Sequence, residues 1–174
     1  MFQRSGFILI EALVVVVILG LLLSVAAPSV QRLIAELGVE RSQHRIAAGL
    51  ALARTLAIMR QAPVTICHLD ADGRCDGAWS EGYSVFVDPL PKGTLGDERI
   101  ERHFAATDEQ LELRAFRTRR YMRFLANGQT DWQNGRFIVC ARLADVPART
   151  LVLNVQGRVR LGRLKRDEAA CQPG

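Results

Sequence analysis

Residues 1–28 read Met1-Phe2-Gln3-Arg4-Ser5-Gly6-Phe7-Ile8-Leu9-Ile10-Glu11-Ala12-Leu13-Val14-Val15-Val16-Val17-Ile18-Leu19-Gly20-Leu21-Leu22-Leu23-Ser24-Val25-Ala26-Ala27-Pro28, and this stretch decides the architecture. A short polar leader ends at Gly6, and from Phe7 to Ala27 nearly every residue is apolar. A run of roughly 20 apolar residues is long enough to cross a hydrocarbon core about 30 Å thick. It contains one acid, Glu11. A carboxylate inside such a segment costs about 2.5–3.5 kcal/mol on insertion scales, which marks Glu11 as functional. A secretory signal peptide fits poorly, because it carries about 7–15 apolar residues followed by a small-residue cleavage site. Here the small residue, Gly6, comes before the run. A plain signal anchor accounts for the length and leaves Glu11 unexplained. A cut after Gly6 would expose the amine of Phe7, and Glu11, four residues along a helix, would share its face. The ammonium and the carboxylate then neutralise each other in lipid, within one chain or between neighbours.

The hexapeptide Gly6-Phe7-Ile8-Leu9-Ile10-Glu11 closely resembles the processing motif of type IV pilins and type II secretion pseudopilins. The resemblance implies cleavage after Gly6 by a prepilin peptidase, N-methylation of Phe7, and a role for Glu11 in guiding assembly with other major and minor pilins or pseudopilins. Pro28 stands where that class often has its helix-kinking proline.

Beyond Pro28 the helical pattern continues. Ile46, Leu50, Ala53 and Ala57 follow i, i+4, i+7, i+11, an amphipathic stripe. Gly38 and Gly49 weaken the helix locally, and Pro63 ends it. The pattern predicts one stalk from Phe7 to Met59, roughly 80 Å long at 1.5 Å per residue. After Pro63 the period changes. Eight short runs rich in branched and aromatic residues read as strands: 64–68, 82–88, 99–105, 111–116, 121–126, 136–141, 150–155 and 158–161. Residues 89–98, with two prolines and two glycines, read as a loop. The expected fold is α+β and pilin-like: a long kinked N-terminal helix packed on an antiparallel β head. The organisation expected is a leader at 1–6, a membrane or filament-core helix at 7–28, an amphipathic stalk at 29–62 and a head at 63–174.

The chain has 174 residues, a net charge of +5 and a pI of about 9.5. Arg114 to Arg123 holds five arginines and no acid, and Val146 to Arg166 holds six basic residues and no acid. Such stripes read as solvated faces or as anion-binding surfaces, and composition by itself favours the former. Four cysteines, Cys67, Cys75, Cys140 and Cys171, in a domain exported behind an anchor point to disulfides. Three pairings are possible. The preferred set is Cys67–Cys75, closing a short polar loop, with Cys140–Cys171, tying down the tail. A zinc site is the alternative, but no C-x-x-C spacing is present.

Head segments in order, Ile66-Cys67, Cys75, Trp79 to Asp88, Phe124 to Gly128, Phe137 to Cys140 and Gly157 to Arg160, are similar to the H-type pseudopilin and FimT/FimU minor-pilin group. The richest chemistry lies in the last. A two-residue Gln156-Gly157 turn would put arginines on the Leu151/Leu153 face. A three-residue loop, Val155-Gln156-Gly157, with Gly157 left-handed in a G1 bulge, removes that conflict. It faces Asn154 with Arg158, Leu153 with Val159, Val152 with Arg160 and Leu151 with Leu161. Arg158 and Arg160 then stand on one face, side by side. Two arginines without an acid fit phosphate, with Arg149, Arg163, Lys165 and Arg166 extending the contact. In the FimT-like branch serving natural transformation, a Gly-Arg-x-Arg element near the C-terminus is associated with binding double-stranded DNA, and Gly157-Arg158-Val159-Arg160 matches it. The resemblance thus implies sequence-independent DNA binding. The bland reading is an edge hairpin whose arginines discourage aggregation. Trp79, Trp132 and Tyr121 are candidates for base stacking, and equally for core or loop anchors.

No catalytic constellation is visible. His44, His68 and His103 are scattered, with no H-E-x-x-H and no glycine-rich phosphate loop. No cofactor is expected. Three functions remain open: a minor pilin that primes assembly and captures DNA, a structural minor pseudopilin of type II secretion with no nucleic-acid role, and an anchored periplasmic binding module that never assembles. The expected location is the bacterial inner membrane with a periplasmic head, and then a pilus or pseudopilus.

Overall fold

A computed structural model describes residues 9–89, 93–96, 99–115, 120–142 and 146–164. Helix α1 runs from Leu9 to Arg60, 52 residues without a break. Pro28 lies inside it; the missing N–H and the ring bulk bend the helix there. Its end is built by Gln61, in the left-handed region at φ 51°. The Ala62 N–H reaches back to the Ala57 carbonyl at 3.3 Å, a Schellman-type closure, and Pro63 forbids further helix.

Eight strands follow: β1 Val64–Cys67, β2 Tyr83–Val87, β3 Ile100–Phe104, β4 Leu111–Arg114, β5 Tyr121–Phe124, β6 Gly135–Ala141, β7 Arg149–Leu153 and β8 Val159–Arg163. All eight strand expectations are met, with ends trimmed or extended by one or two residues. The head is two sheets, not one. The first has the order β3-β2-β1-β5 and the second β4-β6-β7-β8, every pairing antiparallel. The alternation along each strand sends one set of side chains toward α1. The stripe Ile46, Leu50, Ala53 and Ala57 is fully buried, and it meets Val64, Ile66 and Phe124 of the first sheet and Phe137, Val139, Leu151 and Leu153 of the second. Helix and both sheets therefore share one core. Gly49 is part of that packing: a Cβ there would stand 2.9 Å from Tyr83 Cε2 and 3.1 Å from Ile66 Cδ1. Its missing side chain lets the first sheet approach the helix. Trp79, in a 3₁₀ turn at Trp79–Glu81, is 2% exposed and meets the Phe137 ring edge-on at 5.1 Å.

Cys67 and Cys75 form the expected disulfide, Cα atoms 5.6 Å apart. Cys140 is disulfide-bonded as well; Cys171, the partner expected for it, lies outside the described residues. Beside the first disulfide, His68 Nδ1 lies 2.8 Å from Asp76 Oδ1. Burial alone would push the Asp76 carboxyl up. The Ala78 N–H and the His68 ring outweigh it and hold its pKa below the ordinary 3.8.

Candidate functional site

Two surfaces carry the sequence-predicted residues. The first is the N-terminal half of α1. Leu9, Ile10, Leu13 and Val14 through Leu19 are all exposed, as are Leu21 to Leu23, and Glu11 sits among them in the first turn, also exposed. The helix is apolar and long enough to cross a membrane. Gly6 and Phe7 lie outside the described residues.

The second surface is the C-terminal hairpin, β7 and β8. Its register is the one the three-residue loop predicts: Leu153 opposite Val159, Val152 opposite Arg160, and Leu151 opposite Leu161. The Gly157 N–H donates to the Asn154 carbonyl at 2.9 Å and the Asn154 N–H to the Arg158 carbonyl at 3.1 Å. Gly157 takes φ 74°, and a Cβ there would run into the carbonyl oxygen of Gly128. The hairpin is held at both ends. At the tip, Arg54 of α1 donates to the Gly157 carbonyl at 3.1 Å, and the Thr130 N–H donates to the Val155 carbonyl at 2.9 Å. At the base, Gln43 Nε2 donates to the Thr150 and Gly162 carbonyls at 2.6 and 3.0 Å.

The arginines expected to act together separate into different environments. Arg158 and Arg160 are exposed, and neither guanidinium has a partner among the described residues. Arg149 does not extend their patch. It is 7% exposed and turned toward α1, where its Nη2 lies 3.2 Å from Glu40 and 3.6 Å from Glu36. Arg163, its partner across the strands, shares that inner face and reaches Glu36 at 4.0 Å. Strand alternation is the reason: residues 149 and 163 are out of phase with Val152 and Arg160. Lys165 and Arg166 lie outside the described residues. The stripe from Arg114 to Arg123 also breaks up. Arg114 pairs with Glu112 at 2.6 Å, and Arg123 is buried.

Arg123 anchors a polar cluster that charge counting did not reveal. Its Nη2 donates to the Asp88 and Pro89 carbonyls at 2.6 and 3.0 Å, and its Nη1 lies 3.4 Å from Asp131 Oδ2. Asp88, 1% exposed, accepts from the Thr65 hydroxyl at 2.6 Å and the Gly93 N–H at 2.7 Å. Arg123 Nε stands 3.8 Å from Asp88 Oδ2, close enough for ion pairing and too far for a hydrogen bond. Of the three aromatic stacking candidates, Trp79 is core and Tyr121 is half-buried, whereas Trp132 is 82% exposed at φ 55°. Among the described residues no group of three or more His, Cys, Asp or Glu side chains is placed to hold a metal ion.

The family model described as "Type II transport protein GspH" matches residues 42–157, about two thirds of the chain. The chain belongs to the GspH family. It is a pilin-like structural subunit of the minor pilin and pseudopilin class and not an enzyme. No curated protein matches it in sequence. Among solved structures it resembles the type IV minor pilin FimU of Pseudomonas aeruginosa, with 21% identity, 76% of this chain and 90% of that chain covered, and a TM-score of 0.57. It also resembles the minor pseudopilin EpsH from the Type 2 Secretion System of Vibrio cholerae, with 14% identity, 72% and 96% covered, and a TM-score of 0.53. At these identities the likeness speaks to the fold.

Proposed function

We propose that this GspH-family chain is a minor pseudopilin of the H type, a single-pass inner-membrane protein that is cut after Gly6 and enters a type II secretion fibre. The observation that carries the reading is the exposed aliphatic sheath of α1 with one carboxylate, Glu11, in its first turn, joined to a GspH head. Exposed aliphatic side chains at this density need lipid or neighbouring helices around them. A carboxylate among them needs a cation, and the free amine of a processed Phe7, on its own chain or a neighbour's, supplies one. Its partners on this reading are the prepilin peptidase, the other pseudopilins and the membrane. The test is Glu11→Ala. The variant should insert and be processed as the native chain is, yet fail to enter fibres; normal incorporation would refute the role given to Glu11.

A second reading is favoured by one observation, the guanidinia of Arg158 and Arg160 on an exposed face, without a partner among the described residues. On that reading the chain is a type IV minor pilin that binds DNA through phosphate. Salt-sensitive duplex binding by the native chain, lost in Arg158→Ala/Arg160→Ala, would support it. Absence of binding at low salt leaves the pseudopilin reading, and the fibre with which the chain co-purifies then identifies the machine.

A further inference from the structure

The outer face of the second sheet holds a third arginine that the hairpin alone does not reveal. Arg136 of β6 lies opposite Val152 of β7, and Val152 lies opposite Arg160 of β8. The three residues form one row across the sheet, with Arg136 and Arg160 exposed and Val152 38% exposed between them. Strand spacing sets Arg136 and Arg160 about 9–10 Å apart at the backbone, and Arg158 about 6.5–7 Å from Arg160 along the chain. The Arg136 guanidinium, like the other two, has no partner among the described residues. The sole carboxylate on the strand residues of this face is Glu112, at the far edge and already paired with Arg114. Three positive charges within about a Debye length repel one another, and no carboxylate among the described residues is paired with them.

An aromatic side chain stands at the same end. The loop from β5 to β6 hydrogen-bonds the hairpin tip through the Thr130 N–H and the Val155 carbonyl, and this loop presents Trp132, 82% exposed. The loop is fixed: the Thr130 hydroxyl donates to the Gln133 carbonyl at 2.5 Å, and Gln133 Oε1 accepts from the Arg123 N–H at 2.6 Å. The left-handed backbone at Trp132 is thereby held by its neighbours, with the indole left in water. A membrane does not explain the surface. The tip docks on Arg54, and Arg54 lies about 40 Å along the helix from Ala27 at the end of the apolar segment.

We propose that Arg136 and Trp132 join Arg158 and Arg160 in one nucleic-acid-binding surface, the arginines holding backbone phosphates and Trp132 stacking on an unpaired base. The inference rests on the reading of Arg158 and Arg160 as phosphate contacts and extends it in two ways. It adds a phosphate contact from a different strand, and it predicts preference for single-stranded over duplex nucleic acid, since a duplex offers no free base face.

The test uses the full-length protein in a nonionic detergent, with labelled single-stranded and duplex oligonucleotides titrated from about 50 to about 200 mM salt. Arg136→Ala should flatten the plot of log affinity against log salt by about 0.7 for the single strand. Trp132→Ala should weaken single-strand binding roughly five-fold or more, leave the salt slope unchanged and abolish the preference over duplex. Thermal midpoints of both variants equal to the native one exclude misfolding. Loss of binding in Arg158→Ala/Arg160→Ala, with Arg136→Ala and Trp132→Ala behaving as native, would overturn the extension and leave the phosphate reading standing. Failure of the native chain to bind either oligonucleotide at low salt would remove both. Equal affinity for poly-glutamate, independent of Trp132, would identify a surface for acidic polypeptides and overturn the inference.

Discussion

Replacing Arg123 by alanine tests whether the buried polar cluster holds the first sheet to its neighbouring loop. Arg123 is 4% exposed and Asp88 1% exposed, so neither charge has bulk water to fall back on. Truncation removes donors to the Asp88 and Pro89 carbonyls and leaves the Asp88 carboxylate without its cation. Breaking a buried pair from one side costs about 3–5 kcal/mol. The backbone bonds of residue 123, to Gln133 Oε1 and from the Asp131 N–H, survive the substitution, which confines the loss to the guanidinium. Urea unfolding of the full-length protein, followed through the buried Trp79, reports it. With a slope of about 2 kcal/mol per molar, the midpoint should fall by about 1.5–2.5 M. Asp88→Ala should also destabilise strongly, since Thr65 and Gly93 lose their acceptor. The double variant Asp88→Ala/Arg123→Ala should then be more stable than the sum of the single losses implies, by about 0.5–3 kcal/mol. An Arg123→Ala cost below about 1 kcal/mol, or strict additivity in the cycle, would refute the argument that the two charges depend on each other.

Other perturbations probe separate parts of the molecule. Gly49→Val forces side-chain atoms into the space held by Tyr83 Cε2 and Ile66 Cδ1 and should destabilise the head by about 1–3 kcal/mol in the same urea assay. Removing the Cys67–Cys75 bridge with serines, a loop of sequence separation 8, should cost about 2.5 kcal/mol by chain entropy, read as a lower thermal midpoint. The Asp76 carboxyl, its pKa held below 3.8 in the folded chain, contributes stability that is full above pH 3.8 and lost as pH falls through the folded value. Asp76→Asn should therefore reduce the acid-induced drop in urea midpoint below pH 3.8, and an unchanged drop would show that the His68 and Ala78 contacts contribute nothing. Gly157→Ala, strained at φ 74° and blocked by Gly128, should loosen the hairpin tip, seen as faster amide exchange at Val155 to Arg158.

Local pattern was enough to read the helix, its buried stripe, all eight strands and the hairpin register, because each depends on side-chain period and on one turn. What local pattern hides is what two distant elements do to each other. Gly49 reads as a flaw in a helix until Tyr83 is packed on it. Arg149 reads as one more basic residue until Glu40, 109 positions earlier, stands against it. Division of the eight strands into two sheets likewise depends on long-range pairings, such as β1 with β5 and β4 with β6, that no turn signal encodes. Arg136 joins the hairpin arginines only through the β6–β7 register, set by core residues on the opposite face of those strands.

The distribution of arginines links stability to function in this chain. Arg123 and Arg149 are buried and paired, so they fix the head internally and are unavailable to partners. Arg54 caps the hairpin tip, and Gln43 with Glu36 and Glu40 grips its base, all from one helix. The hairpin therefore cannot move independently of α1. Any rotation of the stalk within a fibre carries Arg158 and Arg160 with it, and a ligand bound there meets a surface already ordered, at little entropic cost. The helix that carries the apolar N-terminal segment also aims the cationic face of the hairpin, so the two surfaces share one rigid element rather than a flexible joint.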